Sequence, residues 1–215
     1  MYKAVLFDLD GTLLDTGAGV IKSVQYVIEN MQLPMLPPDE LKKFVGPPIR
    51  AKMREVFHLT DADAGRAMDM FRDHYGQGDI YVASIYDGIP TVLRTLRQKG
   101  LKTGVATYKR EDQAKKLLAK FELDCLFDVI HGSDRDGILT KADVVSSCIR
   151  DLEVIPDEAV MIGDSDNDAI GAKQAGLHFI GVTYGFGFKK KEDVYSYDNI
   201  GAAGTCDEIL NYIRQ

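Results

Sequence analysis

The second half of the chain alternates short apolar runs with amphipathic helical patterns, and this alternation limits the folds open to it. Helices are predicted over residues 91–99, 110–121, 141–152 and 168–175, and strands between them over residues 102–107, 127–131, 159–162 and 178–182. Strands that alternate with helices are typical of a parallel sheet with helices on both faces. The sequence therefore predicts an α/β domain.

One more strand opens the chain, and a helical insert separates it from the others. Residues 3–7 form a short apolar run that stops at Asp8, as a buried parallel strand does. From about residue 17 to residue 80 the patterns are almost wholly helical, with helices predicted over 39–44, 49–57 and 61–75. We therefore expect one α/β domain that is interrupted, just after its first strand, by a helical insert.

Composition excludes several classes of protein. Lys and Arg number 26 against 33 Asp and Glu, a net charge of −7 that argues against a nucleic-acid-binding surface. No apolar stretch approaches the roughly 20 residues that span a bilayer, and the N-terminal apolar run is too short for a signal peptide. Cys125, Cys148 and Cys206 lack metal-ligand spacing and are expected to be reduced thiols. The expected location is cytoplasmic, with no membrane partner; the sequence predicts no particular oligomeric state.

Acidic residues collect where two predicted strands end. The first strand runs into Asp8-Leu9-Asp10-Gly11-Thr12, and the strand at 159–162 runs into Gly163-Asp164-Ser165-Asp166-Asn167-Asp168. Carboxylates at the mouth of a buried strand are electrostatically costly unless a cation joins them, and Mg²⁺ prefers such oxygen ligands. Taken singly, the first run also fits a solvated turn, and Asp166 or Asp168 also fits a helix cap.

Thr107 and Lys141 are further candidates at strand and helix ends. Thr107 ends the predicted strand at 102–107, where its hydroxyl could bind an anion without adding charge, although a plain strand-end threonine fits equally well. Lys141 begins a predicted helix, where a cation is unfavourable because the helix dipole is positive there. A nearby anion would explain Lys141, although a solvated lysine fits its position as well.

Together, in this order, these residues resemble the four motifs of the haloacid dehalogenase-like (HAD) superfamily. Asp8-Leu9-Asp10-Gly11-Thr12 is similar to the first motif, Thr107 to the second, Lys141 to the third and Gly163–Asp168 to the fourth. Phe44–Pro48, Val105–Thr107 and Gly181–Gly187 resemble the phosphoglycolate phosphatase and 5′-nucleotidase-like branch. Many relatives have proline after the third-motif lysine, whereas this chain has Ala142.

The resemblance implies a Rossmann-like, doubly wound parallel sheet core, residues 1–15 and 84–215, with an inserted α-helical cap domain, residues 16–83. It also implies a cytoplasmic, Mg²⁺-dependent phosphatase acting on a small-molecule phosphate ester of the phosphoglycolate or nucleoside 5′-monophosphate type. Since the net charge would repel such a substrate, its binding must depend on local positive charge. Hinges are expected near residues 15–17 and 83–88.

The implied site roles follow from the same motifs. Asp8 is the expected nucleophile and Asp10 the general acid and base, with Mg²⁺ held by Asp8, the Asp10 backbone carbonyl, Asp164 and Asp168. Thr107 and Lys141 would bind the phosphoryl oxygens, and Arg50 in the cap is the candidate substrate contact, although a surface arginine fits it as well.

Other activities on the same scaffold stay open. A sugar phosphomutase would also use Asp8 and Asp10. A haloacid dehalogenase needs the nucleophile but no second carboxylate, so Asp10 counts against that activity. A phosphonate hydrolase would need a cap lysine, and Lys22, Lys42, Lys43 and Lys52 offer no distinguishing feature. From another class, the chain could be a non-catalytic binding protein, although every expected motif position is filled.

Overall fold

The computed structural model describes residues 1–134 and 138–213. By its contacts the chain divides into two compact units, one formed by Met1–Asp15 with Ile85–Gln215 and one formed by Thr16–Ser84. We call them the core unit and the helical unit. The core range expected from the sequence includes 135–137 and 214–215, which lie outside the described residues.

The core unit contains a six-stranded parallel sheet, as the alternating pattern predicted. In chain order its strands are β1 (Ala4–Phe7), β4 (Lys102–Arg110), β5 (Val129–Ser133), β6 (Ala159–Gly163), β7 (His178–Val182) and β8 (Gly201–Ala203). The short strands β2 (Leu14–Asp15) and β3 (Ser84–Ile85) form a separate two-stranded sheet. The α/β fold class predicted from the sequence is confirmed.

The order of strands in the sheet is β5-β4-β1-β6-β7-β8, so the first strand lies in the middle. The chain moves outwards from β1 to β5, then returns and continues from β6 on the other side of β1. Crossovers between parallel strands are almost always right-handed, so this reversal places the connecting helices on opposite faces. It also creates a switch point beside β1, and ligands bind at the carboxyl ends of strands there.

The connecting helices bury apolar faces against this sheet. They are α5 (Ile89–Gln98), α6 (Glu111–Lys120), α7 (Lys141–Leu152) and α8 (Asp166–Gln174), followed by the short α9 (Lys191–Val194) and α10 (Ile209–Tyr212). Val144, Val145 and Cys148 of α7 pack with Leu6 and Met161 of the sheet in one core cluster. Burial of such apolar faces is the main favourable term in folding.

The helical unit is formed by four helices and a 3₁₀ turn at Asp79–Tyr81. The helices are α1 (Gly17–Asn30), α2 (Pro38–Lys42), α3 (Ile49–Phe57) and α4 (Asp61–Gln77). Asp79 is 5% exposed and accepts hydrogen bonds from Lys22 Nζ at 2.7 Å and Ser23 Oγ at 2.8 Å. His74 Nε2 lies 3.2 Å from the same carboxylate, so Asp79 ties α1, α4 and the turn together.

Several element boundaries differ from the sequence prediction. β4 does not end at Thr107 but continues to Arg110, so the helix expected from residue 110 begins at Glu111. The strand expected over 127–131 is Val129–Ser133, and α8 begins at Asp166 rather than Asp168. β8 was not predicted, because Gly201-Ala202-Ala203 is short and lacks the β-branched residues that signal strands.

Within the described part of the chain, no helix has both the length and the apolar character needed to cross a bilayer. The three cysteines are free thiols; Cys148 and Cys206 are buried and Cys125 is exposed.

Candidate active site

The central strands bring the first and fourth motifs to one edge of the sheet. Phe7 pairs with Val105 of β4 and with Ile162 of β6, so the residues that follow them emerge side by side. The backbone N–H of Asp8 donates to the Ile162 carbonyl at 2.8 Å. Asp8 is 7% exposed and Asp164 is 3% exposed. Two carboxylates predicted from distant parts of the sequence are therefore buried next to each other.

Lys141 joins two of the buried carboxylates. Its Nζ lies 2.6 Å from Asp8 Oδ1 and 2.7 Å from Asp168 Oδ1, and its side chain is 3% exposed. Thr140 caps α7 and forms a capping box with Asp143, which fixes the helix start at Lys141. Asp8 and Asp168 are thus the anions expected beside a lysine at a helix start.

Gly171 of α8 provides the space for the Lys141 side chain. A Cβ at this position would lie 2.5 Å from Lys141 Cγ, inside the closest approach of carbon atoms. Close packing between α7 and α8 therefore directs the lysine towards the carboxylates.

The oxygens of Asp164 and Asp168 are held by local backbone donors. Asp164 Oδ2 accepts from the N–H of Phe186 at 2.6 Å and of Gly187 at 3.0 Å, both in the loop after β7. Asp168 Oδ2 accepts from the backbone N–H and the hydroxyl of Ser165, and these two residues form the capping box of α8. Asp168 therefore both caps its helix and contacts Lys141. Asp166, at the start of the helix, accepts from the Asn167 N–H.

Burial controls the protonation of this cluster. Burial, opposed by the charge of Lys141 and reinforced by the charges of Asp168 and Asp164, raises the pKa of Asp8 to about 8. Burial, followed by the charge of Asp168, raises the pKa of Asp164 to about 7, although the Gly187 and Phe186 amides oppose this. Burial alone would lower the pKa of Lys141, but the charges of Asp168 and Asp8 raise it overall.

The donor set fits a hard divalent cation. Asp8, Asp164 and Asp168 each bring one oxygen within 4.8 Å of the other two, and all three are buried. The pKa values of Asp8 and Asp164 are raised mainly by burial, so keeping both carboxylates ionised requires further positive charge to balance them. Mg²⁺ takes oxygen ligands and would restore that balance.

A second lysine, which the sequence reasoning missed, lies at the same edge of the sheet. Lys109 Nζ is 3.1 Å from Asp10 Oδ2, and the Lys109 side chain is 6% exposed. Its backbone N–H donates to Thr107 Oγ1 at 3.1 Å. The neighbouring Tyr108 hydroxyl accepts from the Lys141 N–H at 3.0 Å. Extension of β4 beyond Thr107 thus connects the second motif to the first and the third.

The predicted site residues are placed as follows. Asp8, Lys141, Asp164 and Asp168 form one cluster by direct contacts or ligand-atom distances. Asp10 joins this edge through Lys109, and the buried Thr107 lies within β4, where its Oγ1 accepts from the Lys109 N–H. Arg50 belongs to the helical unit, where it is exposed and donates to the Asp61 carbonyl at 3.4 Å; its contact with a substrate stays a prediction.

With this geometry established, comparison with known proteins gives the family. The profile described as haloacid dehalogenase-like hydrolase matches residues 5–182. A 5′-nucleotidase from Pseudomonas aeruginosa is 34% identical over 86% of this chain and 85% of its own. A phosphoglycolate phosphatase from Aquifex aeolicus is 32% identical over 81% of each chain.

A relative with a different name is equally similar. Tyrosine-protein kinase PtkA from Mycobacterium tuberculosis is 32% identical over 96% of this chain and 71% of its own. Among solved structures, a predicted phosphatase from Clostridium acetobutylicum matches with a TM-score of 0.92 and 37% identity, covering 99% of this chain and 98% of the other. The resemblance stated from the motifs is confirmed. The chain belongs to the haloacid dehalogenase-like hydrolases and is one of their phosphatases, a phosphoric monoester hydrolase.

Proposed function

We propose that the protein is a Mg²⁺-dependent phosphatase that transfers the phosphoryl group of a small phosphate ester to Asp8 and then to water. The observation that supports this most strongly is the buried cluster in which Lys141 bridges Asp8 and Asp168 while Asp164 faces the same space. A surface carboxylate would be shielded by water, whereas the buried carboxylate of Asp8 can be held against a phosphoryl group in a site of fixed charge.

Asp8, Asp164 and Asp168 would hold the metal, together with the backbone carbonyl of Asp10. When bound, Mg²⁺ supplies positive charge that favours the ionised carboxylates and a phosphoryl group beside them. Four carboxylates (Asp8, Asp10, Asp164 and Asp168) and two lysines (Lys109 and Lys141) carry a net charge of two negative units when all are ionised. A single divalent cation balances that charge.

The reaction would occur in two displacements at phosphorus. An Asp8 oxygen forms a bond to phosphorus as the bond to the ester oxygen breaks, and Asp10 donates its proton to that oxygen. A water molecule then attacks the phosphorus and gives a proton to Asp10. This second displacement breaks the bond between phosphorus and the Asp8 oxygen, releases inorganic phosphate and restores Asp8. Thr107 and Lys141 would hold the phosphoryl oxygens in both steps.

The helical unit would act as the cap that determines which ester is accepted. The 5′-nucleotidase and the phosphoglycolate phosphatase among the relatives support nucleoside 5′-monophosphates or phosphoglycolate as the substrate class. Arg50 is the proposed cap residue that contacts the leaving group. The proposed domain division is core residues 1–15 and 84–215 and cap residues 16–83.

Phosphate release from p-nitrophenyl phosphate, with and without Mg²⁺, tests the proposal. We expect Mg²⁺-dependent release in the wild type and its loss in Asp8→Asn, with unchanged release in the control Asp157→Asn, whose carboxylate is exposed and lies outside the four motifs. Transient labelling of the protein by substrate phosphate should accompany turnover and disappear in Asp8→Asn. Full activity of Asp8→Asn would show that Asp8 is not the nucleophile.

A second candidate is transfer of the phosphoryl group to a hydroxyl other than water. The relative named as a tyrosine-protein kinase favours it, and a sugar phosphomutase would use the same two aspartates. Turnover in the presence of tyrosine peptides or sugar phosphates distinguishes these activities: a transferase forms a phosphorylated acceptor, whereas the phosphatase forms inorganic phosphate alone.

A further inference from the structure

We propose that Lys109 is a positioning residue that fixes the carboxyl group of Asp10 for proton delivery to the leaving oxygen. The inference rests on the proposed function of Asp10 as general acid. It assigns a role to a residue outside the four motifs, on the part of β4 that continues beyond Thr107.

The contact itself is specific. Lys109 Nζ lies 3.1 Å from Asp10 Oδ2, and the side chains are 6% and 20% exposed. A lysine this buried is rarely found without an anionic partner, because its charge loses most of its hydration. The pairing is therefore more constrained than an exposed ion pair, in which water competes and both side chains move.

The backbone around Lys109 is fixed in a way that directs this side chain. The pairing of β4 with β5 changes register between Ala106 and Arg110, so the intervening residues leave the regular ladder. In that segment the Lys109 N–H donates to Thr107 Oγ1, and the Tyr108 hydroxyl accepts from the Lys141 N–H. Irregular strand ends of this kind re-aim side chains next to active sites.

The two lysines of this edge have different partners. Lys141 contacts Asp8 and Asp168, whereas Lys109 contacts Asp10. One ammonium thus serves the proposed nucleophile and the other the proposed acid.

Leaving-group dependence provides a test that a purely structural role would not pass. An alkyl phosphate expels a poor leaving group and needs the proton from Asp10, whereas p-nitrophenolate leaves readily without one. The kcat/KM of each ester reports the steps through release of the alcohol or phenol, before the phosphorylated Asp8 is hydrolysed. Loss of positioning should therefore lower kcat/KM for the alkyl ester selectively.

The experiment compares Lys109→Met, Lys109→Arg and the wild type with glycerol phosphate and p-nitrophenyl phosphate. We expect Lys109→Met to lower kcat/KM for glycerol phosphate on the order of 10²-fold, a typical general-acid contribution, with little change for p-nitrophenyl phosphate. Lys109→Arg, which keeps a cation and donors, should recover part of the loss. Lys115→Met is the matched control, since Lys115 forms an exposed pair with Glu111.

The outcomes separate this inference from the proposed function. Equal losses of kcat/KM for both esters, or no loss for either, would overturn the role of Lys109. Circular dichroism of Lys109→Met should match the wild type, and Lys109→Arg gives a second measurement if Lys109→Met is unstable. Failure of the proposed function would be distinguished by Asp8→Asn, which would then retain activity with both esters.

Discussion

At the scale of single residues, Lys141 balances two buried carboxylates at once. Its replacement by methionine leaves Asp8 and Asp168 close together without the ammonium that both contact. Removing one partner of a buried ion pair typically destabilises a protein by about 3–5 kcal/mol. We therefore expect Lys141→Met to lower the free energy of unfolding of the metal-free protein by about that amount, measured by urea denaturation in chelator.

Two variants sharpen this prediction. Lys115→Met removes an exposed lysine and should change stability by less than about 1 kcal/mol. Adding Asp8→Asn to Lys141→Met should recover part of the loss, because one of the two carboxylates is gone. An unchanged unfolding midpoint in Lys141→Met would contradict the contribution of this ion pair.

Asp79 gives a residue-scale prediction for the helical unit. Burial alone would raise the pKa of Asp79, but hydrogen bonds from Lys22 and Ser23 and the charges of Lys22 and His74 lower it overall. A carboxyl group with a lowered pKa stabilises the fold at pH values above its unfolded pKa. This stabilisation is lost as the pH falls through its folded pKa.

Asp79→Asn should therefore destabilise the protein at pH 7 by about 1.5–3 kcal/mol, the range for hydrogen bonds to charged groups. The difference from the wild type should shrink as the pH falls, because the wild type then loses the same charge. Thermal unfolding between neutral and acidic pH measures this. The control Asp69→Asn, at an exposed position of the same unit, should show no pH-dependent change in stability relative to the wild type. If the stability difference between Asp79→Asn and the wild type stays constant with pH, the proposed contribution of the ionised Asp79 is wrong.

Residue identity and order were enough to predict most of the cluster. The sequence singles out three residues because each occupies an electrostatically unfavourable place. Asp8 and Asp164 are carboxylates at the ends of buried strands, and Lys141 is a cation at the start of a helix. Lys109 does not: after Thr107 the polar run Tyr108-Lys109-Arg110 has the pattern of a helix approach, and the buried contact of Lys109 is with Asp10, which is distant in sequence. Such tertiary pairing has no local signal.

At the scale of elements, the loop after β7 fixes the side chain of Asp164, a proposed metal ligand. The Phe186 and Gly187 amides bind Asp164 Oδ2, and the Phe188 N–H donates to the Asp164 carbonyl at 2.7 Å. A Cβ at Gly185 would overlap the Gly11 carbonyl oxygen and the Asp164 carboxylate. The loop can therefore approach Asp164 only where glycine is present.

Gly185→Ala should displace Asp164 and weaken Mg²⁺ binding on the order of 10–100-fold, as is typical when the support of a metal ligand is altered. Calorimetric titration of the metal-free protein measures this without reference to activity. Gly65→Ala is the matched control, since nothing lies within 4 Å of a Cβ at that helical glycine. Its Mg²⁺ affinity should be unchanged, and unchanged affinity in Gly185→Ala would argue against the proposed support of Asp164.

The elements themselves were predicted where periodicity was strong. The helix over 49–57 agrees with α3, and α7 was predicted with both ends correct. Errors occur where a boundary depends on a partner: β4 is extended by β5, and β8 exists because β7 offers it a ladder. α8 begins two residues earlier than predicted because Ser165 is its N-cap residue and Asp168 completes the capping box from inside the helix.

At the scale of the whole molecule, the proposed chemistry and the proposed selectivity belong to different units. Asp8, Lys109, Lys141, Asp164 and Asp168 are all in the core unit, whereas Arg50 is in the helical unit. A chain in which a short glycine-rich linker replaces residues 16–84 should keep the parallel sheet, because Asp15 and Ile85 belong to neighbouring strands of one small sheet.

This cap-deleted protein should still bind Mg²⁺ in a calorimetric titration and should lose discrimination among phosphate esters, with kcat/KM values that converge. The Asp164→Asn form of the same deletion is the control, and it should lose Mg²⁺ binding. If the cap-deleted protein folds and discriminates among esters as well as the full chain does, the proposed division of roles is wrong.

The central position of β1 also determines when the protein can become active during synthesis. Ala4 pairs with Lys102 on one side and with Ala159 on the other, so the strand leaves the ribosome long before either neighbour exists. Contacts this distant in sequence form slowly and leave apolar strands exposed to misassembly. The helical unit, continuous from Thr16 to Ser84, can be complete before either neighbour emerges. β1, which leads into Asp8, waits longest for its partners, so the proposed nucleophile of a nascent chain is in place only after β6 has been translated.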